Sequence, residues 1–251
     1  MREKLIALSL VKGGDWGEVH RFLRHDRKLD GIDELLACKL VEQMGCAAIT
    51  LFDAIYPEAW KQMPKPPFVV FYQGDLGLLQ GEIVSIIGGK VAGSNTKASI
   101  SHVMKQVPDN VSVMSGFETG AEVFSMSHAP RRIAVIAAGF EADSLYQRYD
   151  AFKAMGSNDL ILSELPPGAN FDLPAYYRSY HLMHELSNTV CVFELPRFDL
   201  RLKYLAYLTE VGKEVVVAPD VLKQSTAGGL GLVNLGAKLL LRAKDVFERR
   251  L

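Results

Sequence analysis

From Phe68 onward, short apolar runs alternate with stretches of helical periodicity, and this alternation constrains the fold more than any other feature of the chain. The runs are FVVFY, IVSII, VSVM, RIAVIAA, LILSEL, TVCVFE and EVVVA, rich in β-branched residues and bounded by glycine or proline. Between them, residues 95–107, 119–128, 143–155, 174–187, 201–211 and 231–248 carry apolar positions at helical spacing. Near-continuous apolar strands separated by helices predict an α/β fold with a mostly parallel sheet and helices on both faces. No repeat of about 20 to 50 residues interrupts the pattern.

The preceding segment reads differently. Residues 1–55 are expected to be a small helical N-terminal region, followed by one large α/β domain over 56–251. Leu5, Leu8 and Val11 recur at helical spacing, as do Val19, Phe22 and Leu23 after Asp15, a plausible N-cap. Asp30 is placed to cap a third helix carrying Ile32, Leu35, Leu36, Leu40 and Val41, with Gly45 as its stop. Residues 56–67 (YPEAWKQMPKPP) hold four prolines and predict an extended connector.

Charge and composition exclude several classes. With 28 basic against 29 acidic residues, the chain has no global electrostatic pull toward nucleic acid, so such binding would need a local patch. No apolar run approaches the roughly 18 to 20 residues that span a bilayer, and the N-terminus carries no small-residue cleavage site. The three cysteines form no CxxC motif and are expected to be free thiols. These features predict a cytoplasmic protein without membrane association.

In an open parallel sheet, ligands bind beyond the carboxyl ends of the strands, where helix N-termini present N–H groups. Four such ends stand out. IVSII is followed by Gly88-Gly89-Lys90 and then Ala92-Gly93-Ser94-Asn95. VSVM leads into Ser115-Gly116 and Thr119-Gly120, RIAVIAA into Gly139, and LIL into Ser163-Glu164-Leu165-Pro166-Pro167-Gly168. Glycine admits close backbone approach, serine adds a hydroxyl, and lysine supplies a point charge. Clustered, the turns would form a phosphate-sized anion site. The plainer reading is that the glycines only turn the chain between strand and helix.

Motifs for other chemistries fail. Gly88-Gly89-Lys90 is followed by Val91 and not by Ser or Thr, so there is no Walker A loop, and neither GxGxxG nor GxSxG is present. His181, His184 and Glu185 share one helix, but HLMHE is neither HExxH nor HxxEH, and no metal site is expected. No catalytic pair of carboxylates, Cys–His or Ser–His arrangement emerges, and no cofactor is implied.

Read in order, eight segments resemble the DNA-processing protein A (DprA/Smf) family. They are YPEAWKQMPKPPFVVFYQGD, IVSIIGGK, VSVMSGFETGAE, RIAVIAAGFE, LILSELPPG, the terminal part of SYHLMHELSNTVCVFE, GKEVVVAPD and GLVNLGA, spanning about Tyr56 to Ala237. The resemblance implies an extended Rossmann-like domain that is not an enzyme. It further implies that the domain binds single-stranded DNA, forms a homodimer and loads the RecA recombinase in natural transformation. Carried onto this chain, it implies a DNA- or phosphate-binding site of Gly88, Gly89, Lys90, Ser115, Gly116, Thr119, Gly120, Arg178 and His181.

The departures concern charge. The family's usual arginine is Lys90 here, which keeps charge but not bidentate geometry. Thr119 replaces a second arginine and Glu122 an aspartate. The family's RNR segment aligns with Ser179-Tyr180-His181, and its SGSLIT-like turn with Asp199-Leu200-Arg201-Leu202-Lys203-Tyr204. Lys97, Arg131, Arg132, Arg178, Arg201 and Lys203 are the neighbouring cations to which binding would have moved, each also readable as a solvated surface charge. Tyr176, Tyr177 and Tyr180 are candidates for base stacking or for helix packing. Two other functions compete: a nucleotide-binding or phosphoribohydrolase-like protein, and an interaction scaffold that no longer binds DNA. The Ala227-Gly228-Gly229-Leu230-Gly231 segment lacks the proline and threonine of the phosphoribohydrolase PGGxGT loop.

Overall fold

In the computed structural model the chain forms two units, Met1–Asp75 with Val135–Leu186, and Leu76–Ala134 with Ser187–Leu251. The structure describes residues 1–25, 33–118, 120–142, 154–219 and 228–247. Along the chain run α1 (Arg2–Val11), α2 (Trp16–Arg24), α3 (Glu34–Gln43), β1 (Ala47–Thr50), α4 (Glu58–Lys61) and β2 (Val69–Gly74). A turn of 3-10 helix follows, then β3 (Glu82–Gly88), α5 (Ser94–Met104), β4 (Val111–Ser115), α6 (Gly120–Met126) and β5 (Arg132–Ile136). The rest comprises β6 (Leu160–Ser163), α7 (Leu173–Leu186), β7 (Thr189–Phe193), α8 (Arg201–Glu210), β8 (Glu214–Val217), α9 (Gly228–Asn234), β9 (Lys238–Leu239) and α10 (Lys244–Phe247).

Each of the seven apolar runs yields a strand, because strands covered on both faces must be apolar at consecutive positions. β4 and β7 are buried at every residue, and β3 from Ile83 onward. In the second unit the pairings β3–β4, β3–β7, β7–β8 and β8–β9 are all parallel, with β4 also pairing in parallel with β5. In the first unit β1–β2 and β2–β6 are antiparallel. The fold is α/β and Rossmann-like, with mixed, mostly parallel pairing.

Three local expectations change. The 1–55 region is not purely helical: β1, with Ala48, Ile49 and Thr50 buried, pairs with β2 from Ala47↔Tyr72 to Thr50↔Val69. Four residues are too few to show a period, so the sequence gives this strand no signature. The 231–248 helix is broken into α9, β9 and α10, with Gly236 at φ +108 turning the chain before β9. The proline-rich connector contains the single turn α4. Asp15 caps α2 as expected, accepting from Glu18 N at 2.7 Å. α3 is capped by Asp33, which accepts from Leu35 N and Leu36 N. Asp30, most of the expected 143–155 helix and residues 220–227 lie outside the described residues.

Aromatic residues fix the connector in the first unit. Trp60 is fully buried, lies edge-on to Tyr56 at 5.5 Å and donates from Nε1 to Leu182 O at 3.0 Å. Tyr56 donates to Pro67 O at 2.7 Å and Trp16 to Pro66 O at 2.8 Å, so the prolines supply carbonyls while lacking N–H groups. Replacing Trp60 with alanine leaves a large cavity and an unpaired carbonyl, and is expected to lower unfolding free energy by about 3–5 kcal/mol in urea titration. A loss below about 1 kcal/mol would show that the connector is not anchored here.

Candidate nucleic-acid interface

The candidate site lies at the carboxyl ends of β3, β4 and β7 in the second unit. The glycine turns interlock there. A Cβ on Gly88 would stand 2.4 Å from Ala121 Cβ and 2.9 Å from Phe193 O, and one on Gly120 would stand 2.7 Å from Lys90 O. Gly120 N donates to Lys90 O and Ala121 N to Gly89 O, so the first donors of α6 are taken by the carbonyls of the β3 turn. Glu118 N donates to the Glu122 carboxylate. The close approach explains the glycines without any ligand.

The start of α5 is also occupied from within. Glu194, which directly follows β7, accepts from Gly93 N at 3.2 Å and from the Thr96 hydroxyl, setting a carboxylate where a helix favours an anion. It does so in a left-handed backbone conformation (φ +46), and Phe117 after β4 adopts another (φ +59). Such strain in non-glycine residues persists only where the surroundings enforce it.

Beneath the Gly88 turn lies a buried ionic network. Arg201, at the start of α8, is only 6% exposed, and the Glu122 side chain is fully buried. The guanidinium donates to Glu122 Oε1 at 3.1 Å, to Gly88 O at 2.9 Å and to both Asp199 carboxylate oxygens at 2.8 Å. Burial would raise the Asp199 carboxyl, but the bonds and charge of Arg201, with a further pull from Lys90, hold it below its ordinary 3.8. Arg201 is therefore not the solvated cation that its sequence context allows.

The expected site residues divide by unit. Gly88, Gly89, Lys90, Ser115, Gly116 and Gly120 come together in the second unit; Thr119 lies outside the described residues. Lys90 is exposed. Ser115 is buried, and its Oγ accepts from Phe117 N at 3.1 Å. Arg178 and His181 belong to α7 in the first unit. His181 is exposed, whereas Arg178 faces Glu164 at 3.6 Å and Asp172 at 4.0 Å. Burial pushes the Glu164 carboxyl up, against the pull of Arg178.

Among the other cations, Lys97 Nζ sits 5.6 Å from the centre of the Phe124 ring and Lys203 is exposed. Arg132 opens β5 at the level of Val113, with Arg131 before it, away from the carboxyl ends. Tyr180 is buried, edge-on to Tyr176 at 5.1 Å, which makes it a packing residue. Among the described residues, no group of three or more His, Cys, Asp and Glu side chains is placed to hold a metal ion. No helix of the described residues is long and apolar enough to cross a membrane.

A family model described as DNA recombination-mediator protein A matches residues 47–250. The chain belongs to that family. DNA processing protein DprA of Bacillus subtilis (strain 168) is 30% identical over 217 residues, which span 82% of this chain and 72% of that protein. The DprA of Streptococcus pneumoniae (strain ATCC BAA-255 / R6) is 26% identical over 212 residues, 79% of this chain and 72% of its own. The X-ray structure of DprA from Streptococcus pneumoniae superposes with a TM-score of 0.76 at 21% identity, covering 99% of this chain and 94% of that one. A structure of DNA processing protein A from Helicobacter pylori, concerned with its single-stranded DNA binding mode, gives 0.70 at 20% identity over 79% and 93%. Both likenesses support the Rossmann-like fold assigned above.

Glu194, Asp199 and the pairing role of Arg201 were missed from the sequence. The only available signal was the acid closing TVCVFE, at the end of a buried strand. Arg201→Met should cost about 3–5 kcal/mol, because it leaves Glu122 buried without its cation. Adding Glu122→Gln and Asp199→Asn should recover part of that loss. The depressed Asp199 carboxyl contributes stability that is complete above 3.8 and is lost as pH falls below it. Asp199→Asn should therefore flatten the acid side of a stability-against-pH curve; an unchanged curve would remove this ion pair from the balance.

Proposed function

We propose that this chain binds single-stranded DNA through the strand-end face of its second unit, and that it delivers bound strands to RecA. In this reading it acts as a cytoplasmic homodimer and catalyses no reaction. Membership of a recombination-mediator family supports the reading, as does the Helicobacter pylori relative described by its single-stranded DNA binding mode. The observation that carries it is Lys90: an exposed cation on a turn fixed from below by Arg201 and from the side by Gly120.

With the first donors of α6 engaged and a carboxylate at the start of α5, phosphates would be held by side chains in place of a backbone cradle. Lys90 and Lys203 would act as point charges, and Ser94 and Asn95, which open α5, are also exposed. Binding of this kind is sequence-neutral and salt-dependent. The internal use of those donors also favours a second reading, a scaffold that keeps the family fold without DNA binding.

Fluorescence anisotropy with labelled oligo-dT at several salt concentrations separates the two. The expected result is binding that weakens as salt rises, with Lys90→Ala lowering the log–log slope by about one. Folded protein that leaves the strand free at low salt would establish the scaffold reading.

A further inference from the structure

The loop joining β7 to α8 holds the most exposed large apolar side chain among the described residues. Phe198 is 89% exposed, with Leu200 at 63% two positions on; Val91, next to Lys90, is 78% exposed. Water-facing apolar groups on a loop are ordinary when the loop is loose. This one is not. Asp199 N donates to Pro196 O, Leu202 N to Asp199 O and Gly228 N to Leu195 O, while Arg201 ties the loop to Gly88 O. Asp199, the neighbour of Phe198, also feels the charge of Lys90.

The Arg197 guanidinium carbon lies 6.0 Å from the centre of the Phe198 ring. A cation near the ring is attracted to its electron-rich face. An exposed aromatic ring with an arginine against it, next to an Asp199 that feels the charge of Lys90, matches the pairing of base and phosphate along a single strand. An apolar protein surface would have to strip water from the Arg197 guanidinium beside the ring. A loop already held in place also loses little backbone freedom when a base stacks on its ring, which favours affinity.

Resting on the DNA-binding reading above, we propose that Phe198 is a base-stacking platform, taking one unpaired nucleobase while the neighbouring cations hold its backbone. The contact is made through the π-face, so it accepts any base and adds no counterion release.

The test compares the unaltered chain, Phe198→Ala and Phe198→Trp on oligo-dT and on an abasic deoxyribose-phosphate strand of equal length. Phe198→Ala should weaken oligo-dT binding about five- to tenfold at unchanged salt slope and leave the abasic strand unaffected, with Phe198→Trp restoring oligo-dT affinity. Melting temperatures should agree among the three proteins, because the side chain faces water. Equal binding of oligo-dT by Phe198→Ala and the unaltered chain overturns the platform alone. An equal loss on both strands, or a change confined to self-association in sedimentation, overturns it as well, the latter by making Phe198 part of a protein interface. An unaltered chain that binds neither strand overturns the DNA reading together with the platform.

Discussion

Arg201 imposes the strictest constraint on the second unit. Its guanidinium reaches Glu122 on α6, Gly88 at the end of β3 and Asp199 on its own loop, almost entirely out of water. Removing such charges from solvent costs several kcal/mol per ion, and the cost is offset only when the geometry is good and the donors are used. Both conditions hold, with a fork on Asp199 and separate bonds to the other two groups. The positions of the Gly88 turn, the α6 start and the 195–200 loop are thus coupled. Glu122 on α6 obtains its cation from α8, 79 positions later in the chain.

That coupling sets what the strand-end face can offer a ligand. Glycine turns at helix starts often leave N–H groups free for phosphate. Here Gly120 N and Ala121 N are spent on the carbonyls of Lys90 and Gly89, and the Glu194 carboxylate accepts from Gly93 N. The turns are packed against each other, and the glycines are required by that contact. A ligand on this face would be met by projecting side chains, which exchange geometric selectivity for reach.

The sheet was legible because burial on both faces writes consecutive apolar residues into a strand, and all seven runs became strands. β1 escaped because four residues show no period, and the 231–248 pattern read through a break that Gly236 and the two-residue β9 impose. The glycine turns were legible as turns. Their partners were not, since nothing local to Arg201 indicates that Glu122, 79 positions earlier, lies opposite it. The LRLKYL context places an arginine at the start of a helix, where an exposed charge is the ordinary outcome. Phe198 carries no periodic signal either; only its exposure on a braced loop distinguishes it.

The distribution of charge decides which interaction must dominate if this face meets a single strand. Of the cations that the sequence offers, Arg201 is neutralised by two carboxylates, Arg178 faces two more in the other unit, and Lys97 lies over Phe124. Few unpaired positive charges remain near the Gly88 turn among the described residues, and each contributes roughly one released counterion. The electrostatic share of affinity is correspondingly small. A contact that does not depend on counterion release then carries a larger fraction of the total, and an exposed ring on a loop braced by a buried ion network provides one.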